Sequence, residues 1–261
     1  MQAIILAAGV GKRLQPLTND IPKALIEVNG KSLLVNALDH LSGRDINEIV
    51  IVVGDKKEKI IDALGQSFKG MRITYVDNPI FDRTNNVYSL WLTREYISQD
   101  TILLECDLYY QRELIDTIMA GTAECNILAS PYDKSTMSGT IIAPGYKGRA
   151  QAMIIKRDQK PELDYSCMMK TVNIYKFRKE FILNKFFPAI DLYVRTQGDQ
   201  SYYELVLGSL IYFGNDDIRL IQVDSTRWCE IDDLDDLNRA CNIAINHIRG
   251  TGSLDSESLS S

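Results

Sequence analysis

Histidine is nearly absent from this sequence, with two residues in 261. His40 and His247 both stand away from every motif, so no Ser/His/Asp or Cys/His nucleophile is expected. The five cysteines, Cys106, Cys125, Cys167, Cys229 and Cys241, are odd in number, widely spaced and free of any CxxC pair. That pattern argues against a zinc site or a disulfide framework and for free thiols in a reducing cytoplasm. No apolar run approaches the roughly 20 residues of a membrane span, so no membrane partner is expected. The opening residues MQAIILAAG have no basic segment and read as a strand, not a signal peptide. Positive charge is also short: 29 Lys and Arg stand against 35 Asp and Glu, a net of −6. This argues against a nucleic-acid partner, whose contact surface is normally basic. It also means that an enzyme of phosphates would need local cations or a metal to overcome the global field.

What is present is ordinary for a soluble globular chain: 45% hydrophobic, 25% charged and 8% aromatic residues. Strand-like and helix-like segments alternate in the first half. Strands are expected at 3–6, 49–53, 72–76 and 101–105, and helical stripes at 33–41, 60–64 and 87–97. This rhythm predicts an α/β fold with a largely parallel central sheet. Further strands are expected at 126–129, 140–143, 153–156, 171–175 and 218–223. Helices are expected at 177–195, interrupted at Pro188, and at 202–212 and 234–248. Residues 1–249 read as one domain, and the Ser-rich 250–261 as a flexible tail or linker.

The most informative segment is Leu6-Ala7-Ala8-Gly9-Val10-Gly11-Lys12-Arg13-Leu14, followed by Pro22-Lys23-Ala24-Leu25. It is not a dinucleotide fingerprint, because Leu14 stands where the third glycine belongs. Nor is it a Walker loop, because Leu6 replaces the first glycine. The local physics still points to phosphate. A strand ends in small residues, two glycines let backbone N–H groups converge on an anion, and Lys12 and Arg13 follow at once. Lys23, after Pro22, is a second cation that can return to the same place.

The string L-A-A-G-x-G-x-R-L-x-P-L-T, with P-K-A-L downstream, resembles the nucleotidyltransferase family that makes NDP-sugars and CDP-alcohols. The resemblance implies a Rossmann-like three-layer α/β/α sandwich with a mostly parallel mixed sheet, and nucleotidyl transfer from an NTP to a phosphate. It implies that Leu6, Ala7, Ala8 and Gly9 lie against the nucleotide, and that Gly11, Lys12 and Arg13 hold the leaving phosphates. Lys23 would contact the α-phosphate or the acceptor phosphate.

Such a transfer uses a divalent cation, and Mg²⁺ prefers oxygen ligands. Asp107 follows the strand 101–105 at a carboxyl end, where open α/β sheets bind ligands. The family places a metal-binding Asp there, although an Asp at this point can also be a helix cap. A second carboxylate is expected from Trp228-Cys229-Glu230-Ile231-Asp232-Asp233, where alternation puts Glu230 and Asp232 on one face. Asp232 is the preferred metal ligand, Glu230 the next, while Asp233, Asp235 and Asp236 read as helix caps.

Sugar nucleotidyltransferases of the family usually carry G-T-A-x-[AS]-L before the metal Asp. This chain has Asn85-Asn86-Val87-Tyr88-Ser89-Leu90 instead, an element resembling bacterial choline-phosphate cytidylyltransferases and relatives that activate 2-aminoethylphosphonate. The segments 170–177, 202–204 and 228–232 extend that resemblance to about residue 249. It implies CTP and a small phospho- or phosphono-compound as substrates. The acceptor elements fall mainly in 130–230, with Lys170 for its phosphate or phosphonate. Tyr202, Tyr203, Glu204, Trp228 and Glu230 would surround its cationic head. Asn85 and Asn86 can read the base or ribose, or cap the helix that follows; Tyr202 and Tyr203 can be core or surface aromatics, and Glu204 a solvated helix residue. A homodimer or a fused partner domain is open on this reading.

Overall fold

Continuous apolar runs that serve two cores at once organise this protein. The computed structural model describes residues 1–214 and 216–252, with side chains through residue 245 except residue 215. The chain begins β1 (Gln2–Ala7), α1 (Leu33–Leu41), β2 (Glu48–Val53), α2 (Lys57–Leu64) and β3 (Met71–Asp77). It continues α3 (Asn86–Leu92), β4 (Thr101–Glu105) and α4 (Glu113–Met119). β1 lies between β2 and β4, and β2 pairs with β3, all in parallel. Ile5, Ile51 and Leu104 pack on one face with Leu38, Ile60 and Ile115. Their neighbours Ile4, Val50 and Leu103 pack on the other with Val87 and Leu90. Parallel strands covered on both faces must be apolar at every position, which is why these runs do not alternate with polar residues.

The second half supplies β5 (Cys125–Pro131), β6 (Ile141–Pro144), β7 (Ala150–Ile154), β8 (Met169–Phe177), α5 (Phe187–Gln197), α6 (Tyr203–Phe213), β9 (Ile218–Gln222) and α7 (Leu234–Gly252). The sheet runs β7-β6-β8-β4-β1-β2-β3, and β5 and β9 continue from the other edge of β8. β8 is antiparallel to β4, β5 and β6, so the sheet is mixed. This is the Rossmann-like three-layer sandwich the sequence predicts. No described helix is long and apolar enough to cross a membrane.

Several boundaries differ from expectation; the strand expected at 153–156 is Ala150–Ile154, and Lys156 opens a 3₁₀ turn instead. Phe177 ends β8 rather than starting a helix; the helix begins at Lys179 and passes through a wide π turn at Ile182–Phe186. Pro188 follows that π turn inside one continuous helical run, 179–197, so its missing N–H coincides with the break in the α-helical hydrogen-bond ladder. The stripe expected over 87–97 is α3 plus a separate 3₁₀ turn, Arg94–Tyr96. α7 carries through Gly252, so 250–252 are helical, and the rest of the expected tail, 253–261, lies outside the described residues. The side chain of His247 lies outside them as well.

Candidate active site

A cavity of about 420 Å³ opens at the carboxyl ends of β1 and β4, the end of an open α/β sheet where ligands bind. Its first wall is the glycine loop. Leu6, Ala8, Gly9, Gly11, Lys12 and Arg13 line it. Ala7 does not: strand alternation turns it into the opposite core, where it is 2% exposed. Gly11 has φ +67°, and a Cβ there would stand 3.0 Å from Lys23 Cβ and 3.1 Å from Thr18 Cγ2. Only glycine lets the loop turn while the Lys23 segment passes this close. Thr18 Oγ1 donates to the Gly11 carbonyl at 2.9 Å and holds the two segments together.

The second wall is acidic. Asp107 is no helix cap, since α4 starts only at Glu113. It leads into a short strand, Leu108–Tyr110, that pairs antiparallel with Trp228–Glu230. The Ile231 N–H donates to the Asp107 carbonyl at 2.9 Å. This ribbon brings Asp107, Glu230 and Asp232 together, each offering a carboxylate oxygen within 4.8 Å of the others. A reciprocal cap fixes the outer end: Asp236 N–H donates to Asp233 Oδ1, and Asp232 N–H to Asp236 Oδ2.

Lys23 Nζ joins the walls. It lies 2.8 Å from Asp107 Oδ2 and 3.1 Å from Asp232 Oδ1, and Arg13 Nη2 lies 2.8 Å from the same Asp232 oxygen. Burial alone would lower the Lys23 ammonium, but the charges of Asp107 and Asp232 outweigh it and raise its pKa well above the usual lysine range. Burial would likewise raise Asp232; Lys23 and Arg13 outweigh that and hold it below the ordinary carboxylate range. Asp107 Oδ1 is buried with no hydrogen-bond partner among the described residues. An oxygen-only donor set with one orphaned buried oxygen fits a hard divalent cation.

The third wall carries a second group of charges. Lys170 on β8 is 2% exposed; its Nζ lies 2.9 Å from Glu230 Oε2 and donates to the Thr171 carbonyl at 3.0 Å. Burial raises the Glu230 carboxyl, and Lys170 offsets this only in part. Gly139, with φ +104°, leaves room for this ammonium, since a Cβ there would stand 3.1 Å from Lys170 Nζ. Glu204 lines the same end and is 4% exposed. Burial pushes its carboxyl up to about 7, against hydrogen bonds that favour the charged form.

Asn85 caps α3, its side chain accepting from the Asn86 N–H at 2.8 Å, and both residues line the cavity. Asn86 is committed within the protein. Its Nδ2 donates to Glu105 Oε1 at 3.0 Å and Glu204 Oε2 at 3.2 Å, and its Oδ1 accepts from the Tyr203 N–H at 3.0 Å. Tyr202 lines the cavity. Two residues expected beside it are not on the wall. Tyr203 is fully buried, its ring edge-on to Tyr175 and its hydroxyl on Glu105 Oε1 at 2.9 Å: α6 begins at Tyr203 and turns that side chain into the core, while Tyr202 stays outside the helix in extended conformation. Trp228 shares the Glu230 side of its strand but lies one step deeper, 5% exposed, with Lys170 Nζ 5.8 Å from its ring centroid.

Glu105 is the cavity carboxylate that sequence reasoning missed. Burial and the charge of Asp107 push its carboxyl well above the usual range. The available signal was a carboxylate closing an otherwise apolar strand. Thr140 and Asn173 also line the cavity, brought there by pairings that local sequence does not encode.

The sequence profile of the family described as Nucleotidyl transferase matches residues 2–200. Over 240 residues, 92% of this chain, the sequence is 31% identical to CMP-5'-(3-aminopropyl)phosphonate synthase of Streptomyces rubellomurinus. The match spans only 38% of that protein's length. CTP:phosphoglutamine cytidylyltransferase of Campylobacter jejuni is 26% identical over 253 residues, 91% of this chain and 98% of that one. Among solved structures, CTP:phosphocholine cytidylyltransferase of Streptococcus pneumoniae shares the fold with a TM-score of 0.74, at 24% identity, over 93% of this chain and 98% of that one.

Proposed function

The chain belongs to the nucleotidyl transferase family, and from that premise we propose that it is a cytidylyltransferase acting on CTP and a small zwitterionic phosphate or phosphonate. The observation that carries this reading is a cavity with a cationic glycine loop at one end and, at the other, the buried Glu204 with the half-buried Glu105 and Glu230. An anionic triphosphate suits the first end, and an acceptor with a cationic head suits the second. The names of the Streptomyces and Campylobacter relatives support cytidine as the base and a small phosphonate or phosphate as the acceptor.

On this reading the acceptor oxygen attacks the α-phosphorus of CTP in line. The bond to the bridging oxygen breaks, pyrophosphate leaves, and CMP is joined to the acceptor. No covalent nucleophile is needed, so the protein contributes position and charge. Backbone N–H groups at Gly9 and Gly11, with Lys12 and Arg13, hold the departing phosphates. Lys23 moves from its carboxylates to the phosphate oxygens. Asp107, Asp232 and Glu230 would hold Mg²⁺, which when bound neutralises charge on the triphosphate. Lys170 faces the acceptor's phosphate or phosphonate, and Tyr202 and Glu204 its head.

Pyrophosphate release measured with each NTP against 2-aminoethylphosphonate, phosphocholine and glucose 1-phosphate tests the reading. CTP with a zwitterionic acceptor is the expected pair. Release with UTP and glucose 1-phosphate but not with CTP would overturn it. Asp107→Ala is expected to lower turnover by about a thousandfold.

A further inference from the structure

Resting on the cytidylyltransferase reading above, we propose that the cationic head of the acceptor is a primary ammonium. It would donate hydrogen bonds to Glu204 and Glu105, and Asn86 is the positioning residue that sets those two carboxylates.

The first argument is charge. Glu105, Glu204 and Glu230 all line this end of the cavity. One buried cation, Lys170, faces them, and it is in contact with Glu230. Among the described residues neither Glu105 nor Glu204 has a cationic side chain in salt-bridge contact; their partners are an amide and hydroxyls. A buried carboxyl without a cation resists ionisation, and a ligand that brings a positive charge favours its charged form. A ligand that enters with a positive charge completes the set.

The second argument is geometry. The Asn86 amide donates to both carboxylates, and its carbonyl is anchored by the Tyr203 N–H. That single side chain ties together the end of β4, the start of α3 and the start of α6. Thr140 Oγ1 adds a long contact of 3.4 Å to Glu204, and the Tyr203 hydroxyl adds one to Glu105. Glu105 Oε2 makes no hydrogen bond among the described residues. The pair is therefore held in place while retaining capacity to accept.

The third argument distinguishes the kinds of cation. A quaternary ammonium has no N–H and is recognised by aromatic faces. Tyr203 and Trp228 are drawn into the core. Of the aromatic residues on the cavity wall, Phe81 packs beside Gly54 and the Ala8 carbonyl, at the glycine-loop end. Tyr202 alone remains near Glu204, and one ring is not a cage. A primary ammonium carries three donors and suits a wall of carboxylates.

The test compares 2-aminoethylphosphonate with its N,N,N-trimethyl counterpart, which keeps charge and phosphonate and replaces the three N–H groups by methyls; the Glu204 variant separates lost hydrogen bonds from added bulk. Calorimetric affinity and CTP-dependent kcat/KM are measured with the wild-type full chain and with Glu204→Gln, and thermal melting confirms that the variant folds. We expect the amino compound to be favoured about tenfold or more in both readouts. Glu204→Gln should weaken the amino compound by a similar factor and the trimethyl compound by a smaller one, since the trimethyl head loses charge attraction but no hydrogen bond. Asn86→Ala should lower affinity for the amino compound, and Asn86→Gln should not restore it, since a longer amide cannot bracket the same pair. Equal or better use of the trimethyl compound by the wild type, or an equal loss for both compounds in Glu204→Gln, would overturn the inference while the cytidylyltransferase reading stands. Failure of CTP turnover with both compounds, alongside turnover of UTP with glucose 1-phosphate, would overturn both.

Discussion

Lys23 touches two carboxylates, and Asp232 is shared between it and Arg13. On the proposed reading the same two carboxylates would hold a divalent ion, so the ammonium and the metal compete for Asp107 and Asp232. Lys23→Met is therefore expected to bind Mn²⁺ about tenfold more tightly than the wild type without nucleotide, read by electron paramagnetic resonance. Its turnover should fall about a hundredfold, because the charge no longer reaches the phosphates. Equal Mn²⁺ affinity in the two proteins would contradict the competition. Gly11 and Lys23 were legible as cavity residues because they belong to a spaced motif, and Asp107 because it follows the carboxyl end of a strand. Glu105 was not, because one acid at the end of an apolar run looks like the end of a strand. Tyr203 and Trp228 were misplaced for a related reason: aromatics adjacent to acids in sequence read as one patch, while helix rotation and strand depth separate them in space.

Among the elements, β8 does the most to shape the acceptor end. Its pairing with β5 shifts register between Thr171 and Tyr175, and Asn173 within the shift has φ +59°. In an undisturbed strand, residues three apart face opposite sides. The bulge lets Lys170 and Asn173 line one cavity. Asn tolerates this left-handed conformation, whereas a β-branched residue is a steric outlier there. Asn173→Val should cost about 2 kcal/mol of stability, while Asn173→Gly keeps the backbone. Urea denaturation of the two variants checks this, and equal midpoints would contradict it. Strand existence was readable from β-branched runs, but the bulge was not, since Val172-Asn173-Ile174 carries no turn signal. The interruption expected at Pro188 takes the form of the π turn Ile182–Phe186 just before it, where the helix changes its hydrogen-bond step without ending.

For the molecule as a whole, the parallel core of β1 to β4 was legible because burial on both faces demands unbroken apolar runs. The antiparallel insertion of β8 beside β4 was not, since pairing between distant segments leaves no local mark. Acid stability is a property at this scale. His40 lies against Tyr110 with Nδ1 buried and unpaired among the described residues. Burial, with the charges of Lys31 and Arg112, lowers its pKa to about 4. The unfolded chain takes up this proton below about pH 6.5, and the folded chain does not until about 4. Stability therefore declines as pH falls through that window and levels off below it. By pH 5 the loss from this group is about 2 kcal/mol relative to neutral pH. Chemical denaturation of wild type and His40→Gln at both pH values should show that excess loss in the wild type; parallel losses would contradict it. The net charge of −6 bears on function in the same whole-molecule way. It argues against a broadly basic surface, and part of it is the carboxylate lining of the cavity. The most direct test of the central claim is ³¹P NMR of the protein with CTP, Mg²⁺ and 2-aminoethylphosphonate. The predicted spectrum contains pyrophosphate and a CMP–phosphonate anhydride. Unchanged CTP and phosphonate, with a sugar nucleotide formed from UTP and glucose 1-phosphate under the same conditions, would contradict it.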